Sequence, residues 1–312
     1  MTQGHHLRGI MLASVACMLW GISGVAASSL FAMNPDVSPL WLTQVRMIIA
    51  GIILLIMAQG VGAQPLQLWQ NKYTATRIVS YALLGMVPVQ LCYFEAVKYG
   101  NAPVATIIQF LGPFIISLYY LVFKRTKPTR SEAIGMVVAF VGTLLIVTHG
   151  HLNSLAISPA VLIWGLLSAV GVATNTLIPR PLLTKFGSLS VTGWGLLVAG
   201  VCLNVVKPLW QVHLTLDWAQ ISMLGIIIIF GTVIPFQMFA HSLGYILPTE
   251  ASLLDAFEPL AATVFSVLFL SVQLTGFDLF GGALIIFAVM ILSLDAQTLA
   301  VLLHRRHSRN TD

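Results

Sequence analysis

The chain is 312 residues long, with 58% hydrophobic and only 8% charged residues, against about 25% charged in an ordinary soluble domain. That balance excludes a water-facing globule, and at about 20 residues per helical span plus a loop the length accommodates ten spans. The formal charge of +5 comes from Lys and Arg that form no single stripe and accompany no zinc or RNA-binding signature, which excludes a nucleic-acid partner.

Apolar runs bounded by Pro, Gly and charge predict an all-α, polytopic membrane protein, and its helices are taken here in chain order. The first, near 9–31, carries Trp20. It exceeds the 7–15 residues of a signal-peptide core, so it reads as a retained helix even though Ala26 and Ala27 mimic a cleavage site. The second, near 39–58, holds Gln44 and Arg46. The third, near 77–98, holds Pro88, Gln90 and Tyr93, then Glu95 and Lys98, which lie three apart on one face and predict a local ion pair. The fourth, near 103–123, contains Gln109 and Pro113, and the fifth covers 132–148. The second set begins near 157–179 with Trp164 and Asn175 and continues at 189–208 with Trp194. Next comes 219–243 with Pro235, Gln237 and His241, and the last two are 248–270 and 276–294. The ninth helix carries Glu250, placed to complement its dipole in the first turn, then Asp255, Glu258 and Pro259. Residues 295–312 form a basic tail. Cys17, Cys92 and Cys202 all lie in apolar runs, which suits buried hydrophobes and gives no disulfide framework, metal site or cofactor motif.

With the N-terminus inside, twelve of the fifteen Lys and Arg fall on the cytoplasmic side. Lys98 and Lys207 fall outside, and Arg46 lies within a span. The positive-inside rule therefore predicts both termini in the cytoplasm. Adding or dropping one middle span would send the cluster from Lys124 to Arg130, or the basic tail, to the wrong side.

The chain also repeats itself. A shift of 146 aligns Tyr93, Ala105, Gln109 and Gly112-Pro113 with Phe239, Ala251, Asp255 and Glu258-Pro259. A shift of 147 sets Gly24-Val25-Ala26 on Gly171-Val172-Ala173, and Pro88 and Gln90 on Pro235 and Gln237. Five spans is an odd number, so residues 9–148 and 157–294 are predicted as two inverted five-helix repeats. This architecture places a substrate site near the midplane between the halves.

An ionisable side chain at a helix centre costs about 2.5–3.5 kcal/mol on insertion scales, so it usually faces a cavity or a partner. Asp255 and Glu258 share a face about 10 and 15 Å above the helix start, and Arg46 lies about 10 Å deep from the outer side. Two carboxylates facing one guanidinium leave an acidic surplus. That surplus either takes up protons or meets a cationic substrate group, or else Arg46 and Glu258 form a fixed pair that holds helices together. Gln44, Gln90, Tyr93, Gln109, Asn175, Gln237 and His241 either line the same cavity or bond between helices. Trp20 and Trp164 form an aromatic wall or pack in the core. Pro88, Pro113, Pro235 and Pro259 fall in symmetry-related pairs inside spans, where they free backbone carbonyls and suit a gating role.

No G-x-x-x-x-G-K-[ST] string supports an ATP-driven pump, no filter segment supports a channel, and no catalytic motif supports an enzyme. The expected activity is secondary transport of a small-molecule substrate, with protons as a candidate coupling ion and the lipid bilayer as surroundings.

The segments LWGISGV at 19–25, QFLGP at 109–113, VTHG at 147–150, WG at 164–165 and FEP at 257–259 resemble the drug/metabolite transporter superfamily. The likeness is to EamA-type permeases, and among them to YicL-like bacterial permeases, over nearly the whole chain. The resemblance implies a bacterial inner-membrane permease that exports amino acids or related metabolites, with uptake of a cationic or amphiphilic solute as the alternative. The family's Arg in the second helix and Glu-Pro in the ninth match Arg46 and Glu258-Pro259. Phe123-Lys124 and Leu270-Ser271 stand where many relatives carry Gly-Glu pairs.

Overall fold

The computed structural model describes residues 3–125, 129–150, 156–246, 251 and 254–291, and every regular element among them is helical. Glu250 and the basic tail lie outside the described residues. The helices are α1 (Gln3–Met33), α2 (Pro39–Gly60), α3 (Lys72–Tyr99), α4 (Ala102–Phe123) and α5 (Arg130–Thr148). They continue with α6 (Pro159–Leu177), α7 (Arg180–Cys202), α8 (Trp218–Ser242), α9 (Phe257–Leu270) and α10 (Gly276–Ile291). Seven helices among the described residues are long and apolar enough to cross a membrane, and Ala133–Thr148, Phe257–Leu270 and Gly276–Ile291 are apolar but shorter.

Local signals start these helices. The Ser38 hydroxyl accepts from the Trp41 amide at 3.1 Å, with Pro39 opening α2, and Asp217 and Gln220 close a reciprocal capping box on α8. Gly187, at φ +77°, splits α7 into two helical pieces. The sequence suggests a loop for Arg180 and Lys185, but they sit on a helical extension that ends at this glycine, where only a residue without Cβ turns easily.

The outer faces of the bundle leave Ile56, Phe123, Phe140 and Phe269 uncovered. Such a belt is a liability in water and the natural surface against lipid. Inside, α1 packs on α8 and α9, α6 packs on α3 and α4, and α2 runs along α7. Small residues set these approaches. A Cβ on Gly51 would fall 2.7 Å from the Leu197 amide nitrogen, and one on Gly142 would fall 2.7 Å from the Gly281 oxygen. The second contact joins α5 to α10, which are also tied by His149 Nε2, just after the end of α5, to Asp278 Oδ1 near the start of α10 at 3.0 Å.

Three helices break their regular ladder. α3 widens into π-helix at Ala82–Met86 and Pro88–Cys92, α8 does so at Ile226–Val233, and α4 is interrupted at Phe110 and Leu111 just before Gly112-Pro113. Pro259 lies in the first turn of α9, after a turn at Asp255 and Ala256. Pro113 occupies the same place after the break in α4, and in a first turn the missing N–H costs little. The deep breaks are thus those at Pro88 and Pro235.

Candidate functional site

The breaks in α3 and α8 flank a central cavity of about 170 Å³. Its walls are Trp20 and Ser23 from α1, Arg46 from α2, and Met86, Val89, Gln90 and Tyr93 from α3. Gln109 from α4, Val172 and Asn175 from α6, Phe236 from α8 and Glu258 from α9 complete it. Seven of the sequence-derived residues meet here: Trp20, Arg46, Gln90, Tyr93, Gln109, Asn175 and Glu258.

Proline chemistry explains much of the wall. At α-helical spacing the amide of residue 235 would donate to the carbonyl of residue 231, but proline has no N–H. Arg46 Nη2 supplies the donor, 3.0 Å from the Gly231 oxygen, while its Nε donates to Thr232 Oγ1 at 2.6 Å. The Thr232 hydroxyl donates onward to the Ile227 oxygen at 3.1 Å, and the guanidinium carbon lies 5.0 Å from the Phe94 ring centroid. The other half solves the same problem with neutral groups. Pro88 deprives the Leu84 carbonyl of its donor, and the Thr174 hydroxyl bonds it. Gln109 Nε2 donates to the Val89 oxygen at 3.1 Å and also to Ser168 Oγ.

The acidic residues separate. Glu258 faces the cavity and, among the described residues, forms neither a hydrogen bond through its side chain nor a salt bridge with Arg46. The fixed-pair alternative therefore does not describe this conformation. Asp255 is not in the cavity wall; it accepts from Cys17 Sγ at 3.3 Å. Lys98 does not pair with Glu95 but reaches the Pro35 and Val37 oxygens at 3.1 and 2.8 Å, tying α3 to the loop before α2.

Other sequence-derived residues lie elsewhere. Gln44 is buried and donates to the Lys207 oxygen at 2.8 Å. His241 is exposed, 3.3 Å from the Tyr245 hydroxyl, and Gln237 is half-buried on α8 outside the cavity wall. Trp164 packs against the cluster around Val25, Leu30 and Phe94. Trp194 donates to the Pro65 oxygen at 2.9 Å, away from the cavity. Tyr93 shares a 3.0 Å hydrogen bond with Thr106, and Gly24 makes room for its hydroxyl. Ser23, Thr232 and Phe94 did not stand out in the sequence, because single hydroxyls and aromatics are ordinary in apolar helices. The position of Thr232 three residues before Pro235 was the available signal.

The model of the EamA-like transporter family matches residues 7–148 and again 159–294. An uncharacterized inner membrane transporter, YicL of Salmonella typhimurium, is 31% identical over 294 residues, covering 94% of this chain and 98% of that one. The pseudopaline exporter CntI of Pseudomonas aeruginosa is 26% identical over 211 residues, covering 65% and 70% of the two chains. In fold, the chain is similar to a solved crystal structure at TM-score 0.64 and 17% identity, covering 93% of this chain and 98% of that chain. A cavity held by broken apolar helices and a family match over both halves lead to one conclusion: the chain belongs to the EamA-like transporter family.

Proposed function

We propose that this EamA-type transporter moves a small metabolite by alternating access between two inverted five-helix halves, with the cavity at Arg46 and Glu258 as its substrate site. The carrying observation is that Glu258 presents to the cavity a carboxylate without a partner among the described residues, while Arg46 is held by the Gly231 carbonyl and the Thr232 hydroxyl of α8. Inversion is supported by the family model matching each half, by π-helix beside both Pro88 and Pro235, and by the exchange in which α1 packs on α8 and α9 while α6 packs on α3 and α4. Ten spans with both termini in the cytoplasm follow from the sorting of Lys and Arg.

The cargo class is amino acids or related metabolites, carried outward as the name of the CntI relative says of that protein. Uptake of a cationic solute is the second reading, favoured by the unpaired acid beside Trp20 and Phe236.

Glu258, and Asp255 one turn before it, are the coupling candidates. In proteoliposomes the flux of L-leucine is expected to fall several-fold when the pH gradient is collapsed, and Glu258→Gln is expected to lose that dependence. Full dependence on the gradient in both Asp255→Asn and Glu258→Gln would remove proton coupling from these residues.

A further inference from the structure

We propose that the cavity contains an ammonium-binding subsite formed by the Glu258 carboxylate, the Asn175 side-chain oxygen and the Ser23 hydroxyl, with Trp20 and Phe236 as its aromatic wall. The proposal deepens the transport reading of the same cavity and rests on it.

Sorting the polar atoms of the wall into donors and acceptors leads to this chemistry. Several donors are engaged. Arg46 gives Nε and Nη2 to Thr232 and the Gly231 oxygen, and Gln109 gives Nε2 to the Val89 oxygen. The Tyr93 hydroxyl is shared with Thr106. Three acceptors are not engaged. Asn175 Oδ1 and Ser23 Oγ are buried without a hydrogen-bond partner, Ser23 being only 2% exposed, and Glu258 has none either among the described residues. Buried polar atoms are normally satisfied, so unsatisfied acceptors on residues that line one cavity mark where a ligand's donors go. A primary ammonium has three donors and no acceptor.

The aromatic groups agree with this sign of charge. The Trp20 and Phe236 rings meet edge to face with centroids 5.4 Å apart, and both line the cavity. A cation against an aromatic face is attracted by the ring quadrupole, most strongly where water is excluded. The arrangement also spans the two halves. Ser23 lies on α1 and Asn175 on α6, close to the Gly24 and Gly171 that align in the repeat, and Glu258 lies on α9. One ammonium would draw all three helices onto a single ligand.

The test uses the full chain, purified in detergent, with three probes that share the isobutyl side chain of leucine. L-leucine carries both charges, 3-methylbutylamine only the ammonium, and 4-methylpentanoate only the carboxylate. Thermal-shift titration is expected to show that both amine-bearing probes stabilise the protein and that 4-methylpentanoate does not. Glu258→Gln should weaken binding of 3-methylbutylamine about tenfold or more, the loss expected for a charge-assisted contact. Ser23→Ala, which removes one hydroxyl next to Gly231, should weaken it about threefold while leaving the unfolding midpoint of the free protein unchanged. The subsite is overturned if neither amine binds, if 4-methylpentanoate binds as well as they do, or if amine binding is unchanged in both variants. Failure of the transport reading has a different signature: amine binding that depends on Glu258, with no saturable flux of any amine.

Discussion

Arg46→Lys is expected to lower transport about a hundredfold, the cost of misplacing a positioned group by about an ångström, although the charge is kept. A lysine ammonium is a point charge on a flexible stem, whereas the guanidinium fork bonds Thr232 and the Gly231 oxygen while lying over Phe94. Lysine can satisfy one of these contacts and leaves α8 without its lateral donor. Thr232→Val isolates the same interaction at constant volume: Arg46 Nε loses its acceptor, and the expected loss of stability is about 1.5–3 kcal/mol. The contribution specific to proline is separable. Pro235→Ala returns a backbone donor next to the Gly231 carbonyl, so Arg46→Gln should destabilise the Pro235→Ala protein by about 1 kcal/mol less than it destabilises the parent. Unfolding midpoints of the four proteins read that coupling, and equal penalties in both backgrounds would remove the link between Arg46 and the break in α8.

Gly171→Val is expected to give little folded protein, with a penalty of about 3 kcal/mol from overpacking. A Cβ at Gly171 would lie 2.8 Å from both the Pro88 carbonyl carbon and the Val89 Cα. Those atoms are backbone, so relief requires moving α6 off α3 at the proline break. Gly21 on α1 is similarly tight, since a Cβ there would fall 2.8 Å from the Ala262 amide nitrogen of α9. Gly225→Ala is the control: among the described residues no atom beyond its own neighbours and helix backbone lies within 4 Å of its Cβ position, and a gain of about 0.5–1 kcal/mol is expected from reduced unfolded-state freedom. Size-exclusion yield and unfolding midpoint separate the two outcomes.

Much of this was legible in the sequence, because a bilayer imposes a coarse rule on a chain that crosses it. Long apolar runs announced the helices, and the rarity of charge inside them drew attention to Arg46 and Glu258. Gln90, Gln109 and Asn175 were found for the same reason. What spacing does not give is the rotation of one helix against another. Gln44 and Gln109 look alike as single amides in apolar runs, yet one caps the Lys207 carbonyl and the other lines the cavity. Glu95 and Lys98 had the right separation for a pair, but Lys98 is drawn to loop carbonyls more than sixty residues away in the chain. The partners of Arg46 show the same limit. A charged partner at Glu258 was visible in one dimension, whereas the carbonyl left open by Pro235 belongs to a helix nearly two hundred residues away.

Counterflow tests the transport claim most directly. Proteoliposomes containing the full chain are loaded with unlabelled L-leucine, and entry of external labelled L-leucine is followed. Alternating access requires saturable entry that is accelerated by unlabelled solute on the opposite side, and this acceleration should be lost in Glu258→Gln. Entry that rises linearly with concentration, ignores solute on the other side and persists in Glu258→Gln would contradict a substrate site at this cavity.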